Sequence, residues 1–277
     1  MNSLKRIVVT GVGPLSAAGV GKTDFWNGIL ESSSKAELTK VIVDGEEWEK
    51  YYRYKVKDFS SVLSGINEDK LAEIREWKQG ELDEDFLYLL AAIKLALEDS
   101  CLSYSGELEN TSLVLAHENL GLMPVGIKLS SIAYKFLVEE KASPLSKKEF
   151  YQKFYAAFLK KGYDVQTFSN LFHISKLFGV HNYSLFINNA CASGLYACEV
   201  ASQIIQCGLA KRVVVACSDQ SDIYKFLWFK ELGIYSDDGI IRPFSKESNG
   251  LVFGDGGAAI VLEELNEAKK RKAKIYS

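Results

Sequence analysis

Hydrophobic residues along this chain fall into two alternating rhythms. Short apolar or β-branched runs, each ended by glycine, asparagine or charge, predict buried strands at Ile7–Val9, Leu113–Leu115, Tyr183–Ile187, Arg212–Cys217 and Ala258–Leu262. Longer stretches with apolar positions three and four apart predict helices. Asp83–Leu102 carries Phe86, Leu89, Leu90, Ile93 and Leu97 on one stripe, with acidic residues in its first turn. Leu195, Cys198, Val200, Ala201, Ile204 and Ile205 repeat that spacing, and Gly208 with Lys211-Arg212 closes the helix. Thr23 would cap a helix bearing Phe25, Trp26, Ile29 and Leu30. Two segments break the rhythm. Residues 33–80 are charged and irregular, and Trp48, Tyr51, Tyr52 and Tyr54 read there as cover for a sheet edge. Residues 123–168 are rich in Lys, Tyr and Phe and predict two covering helices. Strands alternating with helices argue an α/β layered fold in one domain, 1–277, with a mixed, mostly parallel central sheet and helices on both faces.

Chemistry concentrates at Asn188-Asn189-Ala190-Cys191-Ala192-Ser193-Gly194. The asparagines break the strand, four small residues surround one cysteine, and the helical pattern begins at Leu195. Cys191 therefore belongs on a tight strand-to-helix turn, near the first N–H groups of the helix. The positive end of the helix dipole favours a thiolate there, which makes a cysteine nucleophilic near neutral pH. The same residues would also suit an inert cysteine filling a crowded junction.

Two glycine patterns imitate nucleotide sites and fall short. Gly11-Val12-Gly13-Pro14-Leu15-Ser16 has Ser16 where a dinucleotide fingerprint needs its third glycine, and Pro14 fits only the first turn of a helix. Gly21-Lys22-Thr23 matches the end of a phosphate-binding loop, but Ser16 again stands where its first glycine belongs. Gly254-Asp255-Gly256-Gly257 predicts a turn feeding the last strand, with close backbone approach beside the nucleophile or a plain hairpin as its two readings. The cation-rich run Glu267–Lys274 reads as a solvated helix end, with docking of an acidic carrier as the alternative.

Composition narrows the class. The 277 residues are 47% hydrophobic and 25% charged, as in an ordinary globular protein, and the net charge of −3 gives no general pull toward nucleic acid or an anionic membrane. No apolar run approaches the ~20 residues that span a bilayer, and no signal peptide precedes the first strand. The five cysteines show no C-x-x-C spacing, which argues against zinc and for reduced thiols in the cytoplasm.

The cysteine segment resembles the nucleophile elbow of β-ketoacyl synthases, the condensing enzymes of fatty acid and polyketide assembly. Arg6–Ser16 with Phe25-Trp26, Leu90–Asp99, Ser169-Asn170-Leu171 with Phe178-Gly179, Arg242-Pro243-Phe244-Ser245 and Gly250–Ala258 are similar to further family motifs, in the family's order. The resemblance implies the thiolase-like layered fold. It implies Cys191 as the acyl-accepting nucleophile, with its own backbone N–H as part of the oxyanion hole. No cofactor or metal is implied: substrates arrive on the phosphopantetheine of an acyl carrier protein.

Three departures accompany it. Family members carry a second half with two catalytic histidines, and this sequence stops at Lys274-Ile275-Tyr276-Ser277, where the linking strand would begin. His173 and His181 align with neither catalytic position. His117-Glu118 replaces the small residues usual at that strand end, implying either an unusual acyl pocket or a structural polar pair. The expectation is a split synthase, with a complementary C-terminal-half subunit supplying the histidines and homo- or hetero-dimeric contacts besides. A non-catalytic subunit like a chain-length factor and a truncated remnant are the other readings.

Overall fold

The computed structural model describes residues 5–43, 45–78, 80, 82–102, 108, 110–116, 126, 129–130, 133–134, 146–161, 166–180 and 182–276. His117, Glu118 and His181 lie outside them, as does most of the segment 123–145. In chain order the strands are β1 (Ile7–Ser16), β2 (Gly19–Val20), β3 (Glu37–Val43), β4 (Glu46–Tyr54), β5 (Thr111–Ala116), β6 (Ser184–Ile187), β7 (Arg212–Asp219), β8 (Phe253–Gly254) and β9 (Gly256–Glu264). The helices are α1 (Gly21–Leu30), α2 (Ser60–Leu63), α3 (Glu68–Lys78), α4 (Glu84–Asp99), α5 (Lys147–Lys161), α6 (Thr167–Phe178), α7 (Ser193–Gln206), α8 (Ile223–Glu231) and α9 (Leu265–Lys270).

Six strands form the main sheet in the order β2-β1-β9-β7-β5-β6. Four of them, β1, β7, β5 and β6, run in one direction, as a mostly parallel sheet requires. β9 inserts between β1 and β7 and opposes both, so parallel ladders occur only at β5–β6 and β5–β7. A smaller sheet, β3-β4-β8, takes up part of the 33–80 segment.

Helices cover both faces. On one face α4 packs with α6 against Leu113, Leu115, Val214, Ala216 and Val261. On the other α7 presents Ala197, Ala201, Ile204 and Ile205 to Val114, Val213, Val215 and Leu262. The stripe predicted for α4 understates its burial. Of its sixteen residues only Glu84 and Glu98 are exposed, because the chain from Val56 to Leu82 lies over its outer side. Asp83 caps it, accepting from the Phe86 N–H at 2.7 Å.

Several expectations are corrected. The strand expected at Ile7–Val9 runs on to Ser16 as β1, past a register shift between Val9 and Gly11, and carries Pro14 opposite Ala258. α1 begins at Gly21 after the two-residue β2, so Thr23 lies inside it and caps nothing. β6 is not a buried strand: Tyr183 and Leu185 are exposed because, among the described residues, only β5 pairs with it. Tyr51 is not cover for an edge; it is buried in a satellite core, stacked on Phe226 with centroids 4.7 Å apart. The cation run, by contrast, is the solvated helix end it was read as: Lys269, Lys270, Lys272 and Lys274 are exposed, and Arg271 turns inward to pair with Glu263. No described helix is long and apolar enough to cross a membrane.

Two ionic clusters pin the chain's last segment to the sheet. Glu263 on β9 is fully buried between Arg212 at 2.9 Å and Arg271 at 2.8 Å, and Arg271 also donates to the Ser100 carbonyl at 2.6 Å. Lys22 and Tyr276 converge on Asp99, which also accepts from the Val12 N–H. Burial pushes the Asp99 carboxyl up, but the hydrogen bonds from Lys22, Tyr276 and Val12 outweigh it and hold the group below its usual range.

Glu263→Ala leaves two guanidinium groups facing a dry gap, and should cost about 3 kcal/mol in urea-monitored unfolding. A loss below about 1 kcal/mol would mean the cluster holds nothing. The depressed Asp99 carboxyl contributes stability above the ordinary carboxylate range, lost as pH falls through its folded value. Asp99→Asn should therefore melt lower than the parent at pH 7, with the gap closing toward about pH 3. A gap independent of pH would contradict that assignment.

Candidate active site

The elbow is built where β6 hands the chain to α7. β6 ends at Ile187, level with Ala116 at the end of β5, and the chain must reverse within five residues before the helix begins at Ser193. It does so by placing Ala190 in the left-handed region, with φ of 50°. The local amides are consumed by short-range bonds. Asn189 N–H donates to the Ser193 hydroxyl at 2.7 Å, and Ala190 N–H donates to the Asn188 side-chain oxygen at 3.2 Å. Ala192 N–H goes to the Asn189 carbonyl and Ser193 N–H to that of Ala190. Between them the Cys191 N–H has no acceptor among the described residues. Cys191 itself is exposed, with a free thiol.

Beside it opens a cavity of ≈ 480 Å³, lined by Cys191, Gly194, Phe25, Ala116, Cys217 and Ala258 among others. It lies beyond the carboxyl ends of β1, β5 and β7, where ligand sites of layered α/β sheets are commonly found. Its far wall is Gly254, Gly256 and Gly257. The expected glycine turn is instead a step between sheets: Gly254 ends β8 and Gly256 opens β9. Asp255, at the step, points away from the cavity and is almost wholly buried. Its carboxylate accepts from Ser221 N–H at 2.7 Å and from Arg53 at 3.1 Å, while its own N–H donates to the Tyr54 carbonyl at 2.8 Å. Burial pushes the Asp255 carboxyl up, against the pull of Ser221 N–H and Arg53. The wall is thus clamped to the small sheet.

The thiols are distinguished by their surroundings. Burial pushes the Cys198 thiol up, and burial likewise raises Cys217, partly offset by the Ala258 N–H. Cys101 and Cys207 are exposed away from the cavity. Only Cys191 combines exposure, a helix N-terminus and a cavity.

Other singled-out residues do not join it. His173 is buried on α6, its ring against Trp77 and Phe172, and lines no part of the cavity. Lys22, the lysine of the false phosphate loop, is committed to Asp99. Among the described residues no three His, Cys, Asp or Glu side chains stand close enough to hold a metal. Sequence reading missed Cys217, Phe25 and the Arg53–Asp255 clamp as parts of the site. Cys217 ends a predicted strand one position before Ser218 and so could have been placed at the sheet's carboxyl edge; nothing in the sequence marks Arg53.

The comparisons with known proteins agree on one family. The model of the "Beta-ketoacyl synthase, N-terminal domain" matches residues 4–268. The chain is 28% identical over 288 residues to 3-oxoacyl-[acyl-carrier-protein] synthase 2 of Vibrio harveyi, covering 99% of this chain and 61% of that relative. Among solved structures, a β-ketoacyl synthase from Burkholderia phymatum STM815 superposes with a TM-score of 0.70 at 19% identity, covering 98% of this chain and 62% of that one. The ishigamide ketosynthase/chain length factor superposes at 0.71 and 19%, covering 99% and 62%. The chain therefore spans about three fifths of the length of these proteins, in their thiolase-like α/β fold. With its elbow, cavity and strand order in hand, the chain belongs to the β-ketoacyl synthase family, whose N-terminal domain it carries.

Proposed function

We propose that this chain is the nucleophile-bearing part of a β-ketoacyl-[acyl-carrier-protein] synthase of fatty acid or polyketide assembly. The observation that carries the reading is Cys191, exposed on the elbow at the mouth of the cavity, with no acceptor for its own N–H among the described residues. The Cys191 sulfur attacks the carbonyl of an acyl thioester on a carrier protein's pantetheine. The carbonyl–sulfur bond to pantetheine breaks, and that thiol leaves with a proton. The Cys191 N–H holds the oxygen's developing charge. A malonyl-type extender then loses carbon dioxide, and its enolate attacks the acyl–Cys191 thioester. The β-ketoacyl product leaves and the Cys191 sulfur is freed.

The second step needs donors that steady the enolate, and His173 is out of reach. We assign them to histidines of a complementary half, held by a partner polypeptide. An unpartnered surface supports this. On α7, Leu195 is 81% exposed and Tyr196 is 52% exposed, although the sequence pattern placed Leu195 on the buried stripe. A shallow apolar groove of ≈ 400 Å³, lined by Val12, Pro14, Phe25, Trp26 and Ile260, continues from the cavity across the same sheet face. The open edge of β6 offers a further surface for homo- or hetero-dimeric contacts. A non-catalytic, chain-length-factor-like role is opposed by the intact cysteine elbow. A cytoplasmic setting, in which all five thiols stay reduced, belongs to the same proposal.

Iodoacetamide should alkylate Cys191 well ahead of Cys101 and Cys207, and far ahead of Cys198 and Cys217, as judged by peptide mapping of timed samples. Equal rates at Cys191 and the other exposed thiols would remove its nucleophilic role. Cys191→Ala should abolish transfer of a radiolabelled acyl group from carrier protein while leaving native mass unchanged; loss of folding instead would make the cysteine structural. Native mass spectrometry of the complex recovered from the host should show a second half bearing catalytic histidines. A stable homodimer without such a half would sink the split-synthase reading and leave acyl binding.

A further inference from the structure

Within the site just assigned, we propose that Ser193 is the positioning residue that sets the elbow and aims Cys191 at the cavity. The inference rests on the reading of Cys191 as nucleophile. An alanine in the left-handed region is unfavourable, because its Cβ crowds the following carbonyl. Something must hold Ala190 there, and packing does not, since Ala190 is exposed.

The Ser193 hydroxyl does. It lies 7% exposed beneath the turn, accepts from the Asn189 N–H at 2.7 Å and donates to the Ala190 carbonyl at 2.6 Å. One hydroxyl, donor and acceptor at once, thereby ties the 188–189 peptide to the 190–191 peptide across the strained residue. The Ala190 carbonyl also receives the Ser193 N–H at 3.0 Å, so side chain and backbone of one residue close two rings on the same oxygen. With these bonds and that of Asn188, the amides at 189, 190, 192 and 193 are all occupied, and among the described residues Cys191 N–H alone of the five has no acceptor. Alanine at 193 would supply neither bond. Threonine would supply both.

The test is timed iodoacetamide alkylation of the full chain, read by peptide mapping, in Ser193→Ala, Ser193→Thr and the double variant Ser193→Ala with Ala190→Gly. Losing the clamp should slow Cys191 about tenfold, the equivalent of one buried hydrogen bond, while Cys198 and Cys217 stay protected. Threonine should return the rate to near the parent's. Glycine at 190, at ease in the left-handed region, should recover part of it in the double variant. That recovery is something a general loss of stability would not produce. Ser193→Ala alkylating as fast as the parent, or Ser193→Thr as slowly as Ser193→Ala, overturns the proposal. If Ser193→Ala instead exposes Cys198 and Cys217, the fold has loosened and the threonine comparison decides: parental rates support the clamp and slow rates reject it. Failure of the nucleophile reading itself would look different, with parental Cys191 no faster than Cys101 and Cys207.

Discussion

The seating of α4 on β1 is backbone on backbone, and the layering of the main sheet depends on it. A Cβ placed on Gly11 would stand 2.3 Å from the Ala96 carbonyl oxygen, and one on Gly13 would stand 2.1 Å from that of Ala92. No side chain fits between them, so the helix and the strand are fixed in register and separation. The rest follows from that approach. A helix seated so closely, with Val56, Phe59, Val62, Ile66, Leu71 and Ile74 over its back and α6 beside it, fills one face of the sheet. Leu89, Leu90, Ile93 and Leu97 are each fully or almost fully buried there, at about 1.5–3 kcal/mol apiece by area. Any opening for a substrate is therefore confined to the other face and to the strand ends.

On that other face the packing is lighter, and the site occupies what it leaves uncovered. α7 packs over β5, β7 and, through Ile7 and Val9, the start of β1, but leaves the end of β1 and the start of β9 open, and the cavity forms where that open sheet meets the helix N-terminus. The opening strands of this corner carry little bulk: Gly256, Gly257, Ala258 and Ala259 follow one another on β9. Rigidity comes from behind. Asp255 ties the glycine wall to Arg53 and Ser221, and so to the small sheet and the loop after β7. The surroundings of Cys191 are thus held in place from within this chain.

Much of this was legible beforehand, and the misses share a cause. Strand positions and the place of Cys191 are local: an apolar run, a break, a helical period and small residues at the junction specify them without reference to neighbours. What failed depended on which layer a face would meet. Tyr183–Ile187 has the composition of a buried strand yet lies at an edge, because strand order is not encoded within the strand. Leu195 has the period of a core residue yet faces out. The first strand was read as Ile7–Val9, and it runs on to Ser16, carrying Pro14 opposite Ala258. The same limit hid the Arg53–Asp255 clamp, whose members stand 202 positions apart.

The exposure of Leu195 is the informative miss. α7 turns its small residues Ser193, Ala197 and Ala201 toward the sheet, which lets it sit close, and keeps Leu195 and Tyr196 on the outside. For a helix that ends at solvent this arrangement is backwards, since the larger apolar side chains would gain most from burial. It is right for a helix in the middle of a stack, with sheet on one side and another layer on the other. Covering Leu195 alone would contribute about 1.5–3 kcal/mol. Trp26, 60% exposed, belongs to the same uncovered side of the sheet. The apolar layer and the elbow therefore face the same way. Anything that covered this face would arrive at the rim of the Cys191 cavity. The exposed apolar side chains and the mouth of the cavity therefore share one side of the sheet.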